Sequence, residues 1–172
     1  GIPVGDEGYP IVDIDDYDNQ IYVRKSDSLW PVKNDRAAKV SVGLDAMPST
    51  ALFVPMAAKE LYLYLGWSYS LEKLYGGTLD DIGPWRGAGL PSSRTGVVSC
   101  LHGVVGWLFA GIDAGTTGIS SVLAWDGRGW HEIFRAPYIG WRVQNMQFWS
   151  PPGVRPRLFI SCGGMIFSIN FP

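Results

Sequence analysis

A short apolar strand pattern recurs along this chain every 40 to 50 residues. The recurring segments are 21–23, 61–63, 107–109 and 157–160. Each stands among other short apolar runs, and residues that favour turns (Gly, Pro, Asn, Asp and Ser) separate those runs. A unit of this size cannot bury its apolar faces alone, so the period predicts units that stack on one another.

The clearest unit is the segment 97–134. A turn is predicted at His102-Gly103. Asp126-Gly127 predicts a type I′ hairpin turn, because both central residues of that turn need a positive φ. The predicted strands are 97–101, 104–112, 120–125 and 129–134. These four strands, joined by tight turns, form an antiparallel meander.

The whole chain is predicted to be an all-β, β-propeller-like array of four-stranded antiparallel blades. Val, Ile, Tyr, Trp and Phe dominate its apolar runs, and four strands per unit are typical of a propeller blade. Residues 1–172 are expected to form a single propeller segment of about three and a half blades. The approximate blades are 10–47, 48–96, 97–142 and the incomplete 143–172.

Closure of the ring is open at this point, because propellers typically have about 4–8 blades. The chain would be half of a longer propeller, or two copies would complete one ring. A third arrangement is a four-bladed form whose last strand comes from the N-terminus. The first two arrangements are favoured over the third.

Charge and cysteine content exclude some classes of function. The formal net charge of −2 argues against a broad nucleic-acid-binding surface, and the apolar runs are too short for a membrane helix. Neither nucleic acid nor a membrane is therefore expected as a partner. Cys100 and Cys162 are favoured as two buried free thiols over a disulfide.

Tryptophans are the main candidates for a binding surface. The segment 76–96 is rich in Gly, Pro and Ser without a period, and connections of that length are often functional. Exposed aromatic rings stack sugars or anchor protein partners, while the alternative role is packing between blades. The predicted ligand-binding residues are Trp85, Arg86, Trp67, Trp130 and Trp141, with Trp85 and Arg86 as first choice.

An acidic cluster, DIDDYD, is a weak calcium candidate through Asp13, Asp15, Asp16 and Asp18, because calcium prefers several carboxylate oxygens. The Gly and the distal Glu of an EF-hand loop are missing. As a strand, the same segment places Asp13 and Asp15 on one face and Asp16 on the other. No metal and no other cofactor is predicted.

Carboxylates supply an alternative function. Asp80 and Asp81, with Glu72 nearby, would serve glycoside hydrolysis if they converged at a set separation. The region around Asp126 and Gly127 is similar to the sialidase Asp-box, although that motif requires its Gly two residues after the Asp. A carbohydrate-active, glycosidase-like propeller enzyme is therefore the alternative to a protein without catalytic activity.

Several segments resemble uncharacterised propellers of bacteriophage and metagenomic origin. They are DIGP at 81–84, AGLP at 88–91 with Arg94, and 113–132. The resemblance implies a structural or adhesive virion component, in a virion or extracellular location. The overall prediction is a non-catalytic structural or binding module. Its expected partners are a protein or second copy that completes the ring, with carbohydrate as a further ligand.

Overall fold

The chain is all-β, as predicted. The computed structural model describes residues 4, 10–17, 19–25, 28–33, 36–37, 56–59, 62–67, 70–75, 83–84 and 96–171. Fifteen strands and no helix occur in these ranges. The same residues contain no helix of the length and apolar character needed to cross a membrane.

The strands form four antiparallel sheets that follow one another along the chain. The first sheet consists of β1 (Ile11–Tyr17), β2 (Gln20–Lys25), β3 (Leu29–Lys33) and β4 (Arg36–Ala37). The second consists of β5 (Met56–Lys59), β6 (Tyr62–Trp67), β7 (Ser70–Tyr75) and β8 (Gly83–Pro84). The third consists of β9 (Val97–Val104), β10 (Trp107–Asp113), β11 (Ser121–Trp125) and β12 (Trp130–Arg135). The last consists of β13 (Val143–Trp149), β14 (Arg157–Cys162) and β15 (Met165–Asn170).

Two-residue turns join the first two strands of both the first and the third sheet. Tyr17 pairs with Gln20, and Val104 pairs with Trp107. The second turn residue has a positive φ in each case, 59° at Asn19 and 83° at Gly106. The predicted turn at His102-Gly103 is therefore wrong. β9 continues through both residues, because Gly103 stays extended and pairs with Leu108.

The hairpin after β11 also differs from its prediction. Trp125 pairs with Trp130 across a four-residue loop, so the connection is not a two-residue type I′ turn. In this loop Gly127 alone has a positive φ, of 90°. Asp126 Oδ1 accepts hydrogen bonds from the backbone N–H groups of Arg128 (2.8 Å) and Gly129 (2.9 Å). These two bonds lower the pKa of Asp126 to about 2.

Each face of the third sheet packs against a different neighbour. Leu108, together with Ala110 and Ile112 on the same face, packs with Ala57 of the second sheet. On the opposite face Phe109 packs with the last sheet, where it belongs to the same cluster as Leu158 and Ile160. We call the side turned toward the earlier sheet the preceding face and the other side the following face. Alternation along one strand thus supplies two cores.

The first strands of successive sheets lie side by side. β1 contacts β5, β5 contacts β9, and β9 contacts β13. The charges of Asp13 and Asp15 in β1 also act on Cys100 and His102 in β9. Successive sheets are therefore neighbours through their first strands.

Gly111 permits the close approach of the last two sheets. A Cβ atom there would lie 2.5 Å from Cys100 Sγ and 2.8 Å from Val143 Cγ1. These distances are shorter than any ordinary contact, so a side chain would force β9 and β13 apart.

We predict that Gly111→Ala lowers the free energy of unfolding by about 1–3 kcal/mol, the usual cost of overpacking a core. Urea denaturation followed by tryptophan fluorescence measures the change. Gly129→Ala is the matched control, because a Cβ there meets only His131 Nε2, at 3.9 Å. Equal stability of the two variants would contradict the close approach.

Candidate functional site

The following face of the last sheet is uncovered. Leu158 and Ile160 are buried on its preceding face, whereas Phe159 points the other way and is partly exposed. Ile166 is 76% exposed on the same open face. A shallow groove of about 180 Å³ lies there. Its lining residues are Asn145, Met146, Gln147, Phe159, Ser161 and Ile166.

The preceding face of the first sheet is open at its hairpin end. Farther along the same face Val23 and Lys25 are buried, and Lys25 Nζ donates a hydrogen bond to the Val4 carbonyl at 3.0 Å. The hairpin of this sheet has the same two-residue turn as β9–β10, so Tyr22 occupies the position of Phe109 and Ile21 that of Leu108. Tyr22 is buried, as Phe109 is, and this side is therefore the following face. On the other side Ile14 is 58% exposed and Ile21 52% exposed. The two ends of the array thus present opposite kinds of open face.

The sequence analysis expected a partner that completes the ring but did not name the residues of these open faces, although a signal was present. β15 reads MIFSIN, with apolar residues on both of its faces. A strand that is apolar on both sides is typical of a sheet covered on both sides. Ile166 supplies the second apolar side, and no sheet of the described part of the chain lies against it.

His102 joins the third sheet to the last. Its Nε2 accepts a hydrogen bond from the backbone N–H of Phe148, at 3.2 Å. An Nε2 atom can accept only in the neutral ring whose proton is on Nδ1. Burial lowers the pKa of His102 from its usual value of 6.5, and the charge of Asp15 opposes this shift. The neutral ring is therefore the form that holds the two sheets together.

Trp130 and Trp141, two of the predicted ligand-binding residues, are partly buried. Trp130 packs on the core between the second and third sheets, with its ring centroid 5.6 Å from that of Trp125. Trp141 packs on the core between the third and last sheets, and its ring covers Gly163. Their role in ligand binding stays a prediction.

The other predicted ligand-binding residues cannot be placed in a site. Trp67 is the last residue of β6, and its side chain lies outside the described part. Trp85 and Arg86 lie outside the described residues altogether. The structure therefore does not bring these three residues together with Trp130 and Trp141.

The acidic cluster lies on β1 with the predicted alternation. Asp13 and Asp15 share a face because they pair with Arg24 and Tyr22, while Asp16 is on the opposite face. Asp18 falls outside the described residues. Within the described ranges, no three His, Cys, Asp or Glu side chains come together in an arrangement that would hold a metal ion.

Carboxylates considered for glycoside hydrolysis are not brought together among the described residues. Asp80 and Asp81 lie outside them, and Glu72 is in β7 with an undescribed side chain. Asp113, which the sequence analysis did not single out, is buried. Its Oδ1 accepts from the Gly115 N–H at 2.8 Å, and its Oδ2 lies 3.2 Å from Arg142 Nε. Asp113 thus braces the loop that follows β10.

Both cysteines are free and buried, which confirms the prediction of two separate thiols. They lie in the core between the third and last sheets. Burial raises the pKa of Cys100 to about 12 and also raises that of Cys162, where the nearby charge of Asp113 adds to the effect. Both are therefore held as neutral thiols near pH 7.

Comparison with known proteins shows similarity of fold alone. No protein-family model and no curated protein matches the chain. Among solved structures it is similar to the computationally designed Ika4 protein, with a TM-score of 0.66 and 11% identity over 99% of this chain and 96% of that one. It is also similar to the extracellular domain of BT4673, described as a hybrid two component system of B. thetaiotaomicron. There the TM-score is 0.62 at 15% identity, over 92% of this chain. The chain spans 20% of the length of BT4673's structure.

We predict that the free energy of unfolding decreases as the pH falls below about 6.5. The pKa of His102 is lower in the folded state than in the unfolded chain. As the pH falls, the unfolded chain therefore takes up the proton first, and the free energy of unfolding decreases until the pH passes the folded-state pKa. Urea denaturation between pH 7 and pH 5 measures the slope. His102→Gln, which keeps an acceptor, should flatten the slope. Equal slopes for wild type and His102→Gln would contradict the assignment.

We predict that neither cysteine reacts with iodoacetamide in the folded protein at pH 8. The thiolate is the reactive form, and burial disfavours it at both positions. Mass spectrometry would show two modified cysteines after unfolding in urea and none before it. Rapid modification of the folded chain would contradict the burial of these thiols.

Proposed function

We propose that this chain is a β-propeller segment that acts as a non-catalytic structural or binding module. The observation that supports it is the packing of the sheets: their first strands lie side by side, and the faces of the third sheet each pack on a neighbour. In a propeller the blades stack radially around a central channel in this way. The four sheets would be the blades.

Carboxylates with known contacts support a role without catalysis. Asp113 braces the loop after β10, and Asp126 closes the loop between β11 and β12. Both accept hydrogen bonds from backbone groups of their own loops, which is a structural use of the side chain. Exposed apolar side chains, in contrast, are present on the two end sheets at Ile14, Ile21 and Ile166. Exposed apolar surface of this kind is typical of association with a partner.

The resemblance of the sequence to bacteriophage and metagenomic propellers supplies the proposed setting. The module would be a virion component or an adhesive surface with a protein or carbohydrate ligand. Trp85 and Arg86, in the long connection between the second and third sheets, are the proposed contact residues.

We predict no hydrolysis of a panel of 4-nitrophenyl glycosides above the uncatalysed rate. A retaining or inverting glycosidase needs two converging carboxyl groups, and this proposal assigns none. Release of 4-nitrophenol, followed by absorbance, measures the rate. The double variant Asp80→Asn/Asp81→Asn serves as the matched control for contaminating activity. Turnover by the wild type that this variant loses would establish the glycosidase and overturn the proposal.

A further inference from the structure

We propose that a second copy of this chain covers both open faces. The following face of the last sheet in one copy takes the preceding face of the first sheet in the other, and the reciprocal contact closes a ring of eight sheets. The inference rests on the proposed propeller arrangement and names its partner. Each copy would contribute one half of the ring.

The contact between the third and last sheets supplies the template. Phe109, on the following face of the third sheet, stacks on Phe148 with ring centroids 6.0 Å apart. His102, which pairs with Phe109, accepts the Phe148 N–H. Leu158 pairs with Phe148 and lies in the same core. A following face thus presents an aromatic ring and a hydrogen-bond acceptor to the next sheet.

The last sheet presents the same two groups. Phe159 lies on its following face and pairs with Gln147, as Phe109 pairs with His102. The Gln147 side chain offers an amide oxygen where His102 offers a ring nitrogen. Both residues line the open groove, which therefore has the composition of a sheet-to-sheet contact.

The first sheet presents the residues that would stand opposite this groove. Ile21 pairs with Asp16, as Leu158 pairs with Phe148, so Asp16 and Ile21 would stand opposite Phe159. Ile14 lies on the same face as both. In the single chain the Asp16 backbone N–H donates a hydrogen bond to Asp15 Oδ1, at 2.9 Å. In the ring Gln147 would stand beside that N–H group.

Charge on the two faces is complementary. Arg157 is exposed on the following face of the last sheet, two positions before Phe159. The template places Asp16 of one copy beside Phe159 of the other. The Asp16 carboxylate and the Arg157 guanidinium therefore lie at the same end of the contact. Two first sheets placed together would bring Asp16 against its own copy instead. The charges therefore favour contact between unlike ends.

The two ends of one chain do not cover each other. Ile21 is 52% exposed and Ile166 is 76% exposed in the same structure. A three-stranded face of six-residue strands covers about 300 Å². Because part of the first-sheet face is already buried at Val23 and Lys25, two reciprocal contacts would bury at most about 1,200 Å², the lower limit of stable specific interfaces. A contact between unlike ends forms a closed ring when the rotation closes and a filament when it does not.

Light scattering after size exclusion tests the inference on the full chain. At micromolar concentration the wild type should have twice the 18.9 kDa mass of one chain. Ile21→Glu and Ile166→Glu should each raise the dimer dissociation constant by about 30-fold or more, since each damages both reciprocal contacts. Val105→Glu is the matched control, because Val105 is 91% exposed in the turn between β9 and β10. Circular dichroism would verify that all three variants are folded.

Mixing the two variants distinguishes unlike ends from like ends. A mixed dimer of Ile21→Glu with Ile166→Glu has one contact that carries both substitutions and one that carries none. Dimer should therefore reappear in the mixture. If like ends pair, one of the two variants would remain fully dimeric on its own, which would overturn the inference.

Other outcomes also overturn the closed two-copy ring. A wild-type monomer at micromolar concentration would do so, as would filaments of increasing mass or a dimer that neither substitution weakens. The result is separable from the proposed function. A monomer without glycosidase activity would remove the ring and leave the non-catalytic module, whereas a dimer with glycosidase activity would do the reverse.

Discussion

A sheet with two apolar faces in this protein requires a neighbour at each of them. The third sheet meets that requirement fully: Leu108 is buried against the second sheet, and Phe109, the next residue, is buried against the last. A sheet with two apolar faces cannot shield them by itself, so its stability comes from the stacking. The first and last sheets also have apolar residues on both faces, but each has a neighbouring sheet on one face fewer.

Small local features set how closely the sheets approach. Gly111 leaves room for Val143, and His102 supplies an acceptor for a backbone N–H group of the neighbouring sheet. Neither residue contributes much apolar area. They determine the separation and the relative position at which the larger side chains, such as Phe109 and Phe148, make contact.

Sequence patterns predicted strand content well and turn positions less well. The alternation in β1 follows from local preferences and is confirmed. Gly103 and Gly106 are equally suited to a turn, and only the pairing of Gly103 with Leu108 decides between them. Asp126-Gly127 likewise matches a type I′ turn locally, but the pairing of Trp125 with Trp130 requires a longer loop.

Faces of the candidate site were harder to predict, because periodicity shows which residues share a side and not which side has a neighbour. The ring of Trp141 and the side chain of Ile166 are both apolar, yet the first packs on a core and the second is exposed. That difference arises from the order of the sheets. Residues 76–96 include no repeating pattern, so their local sequence defines no surface.

The opposite orientation of the two end faces has a consequence for how such a chain can change length. Every sheet carries one preceding and one following face, so a duplicated unit brings its own matching surfaces with it. Insertion of a whole unit between β12 and β13 would preserve the kind of contact made on each side. Loss of a single strand would instead disturb two cores at once. Evolution by whole-unit gain is therefore the least disruptive route open to this architecture.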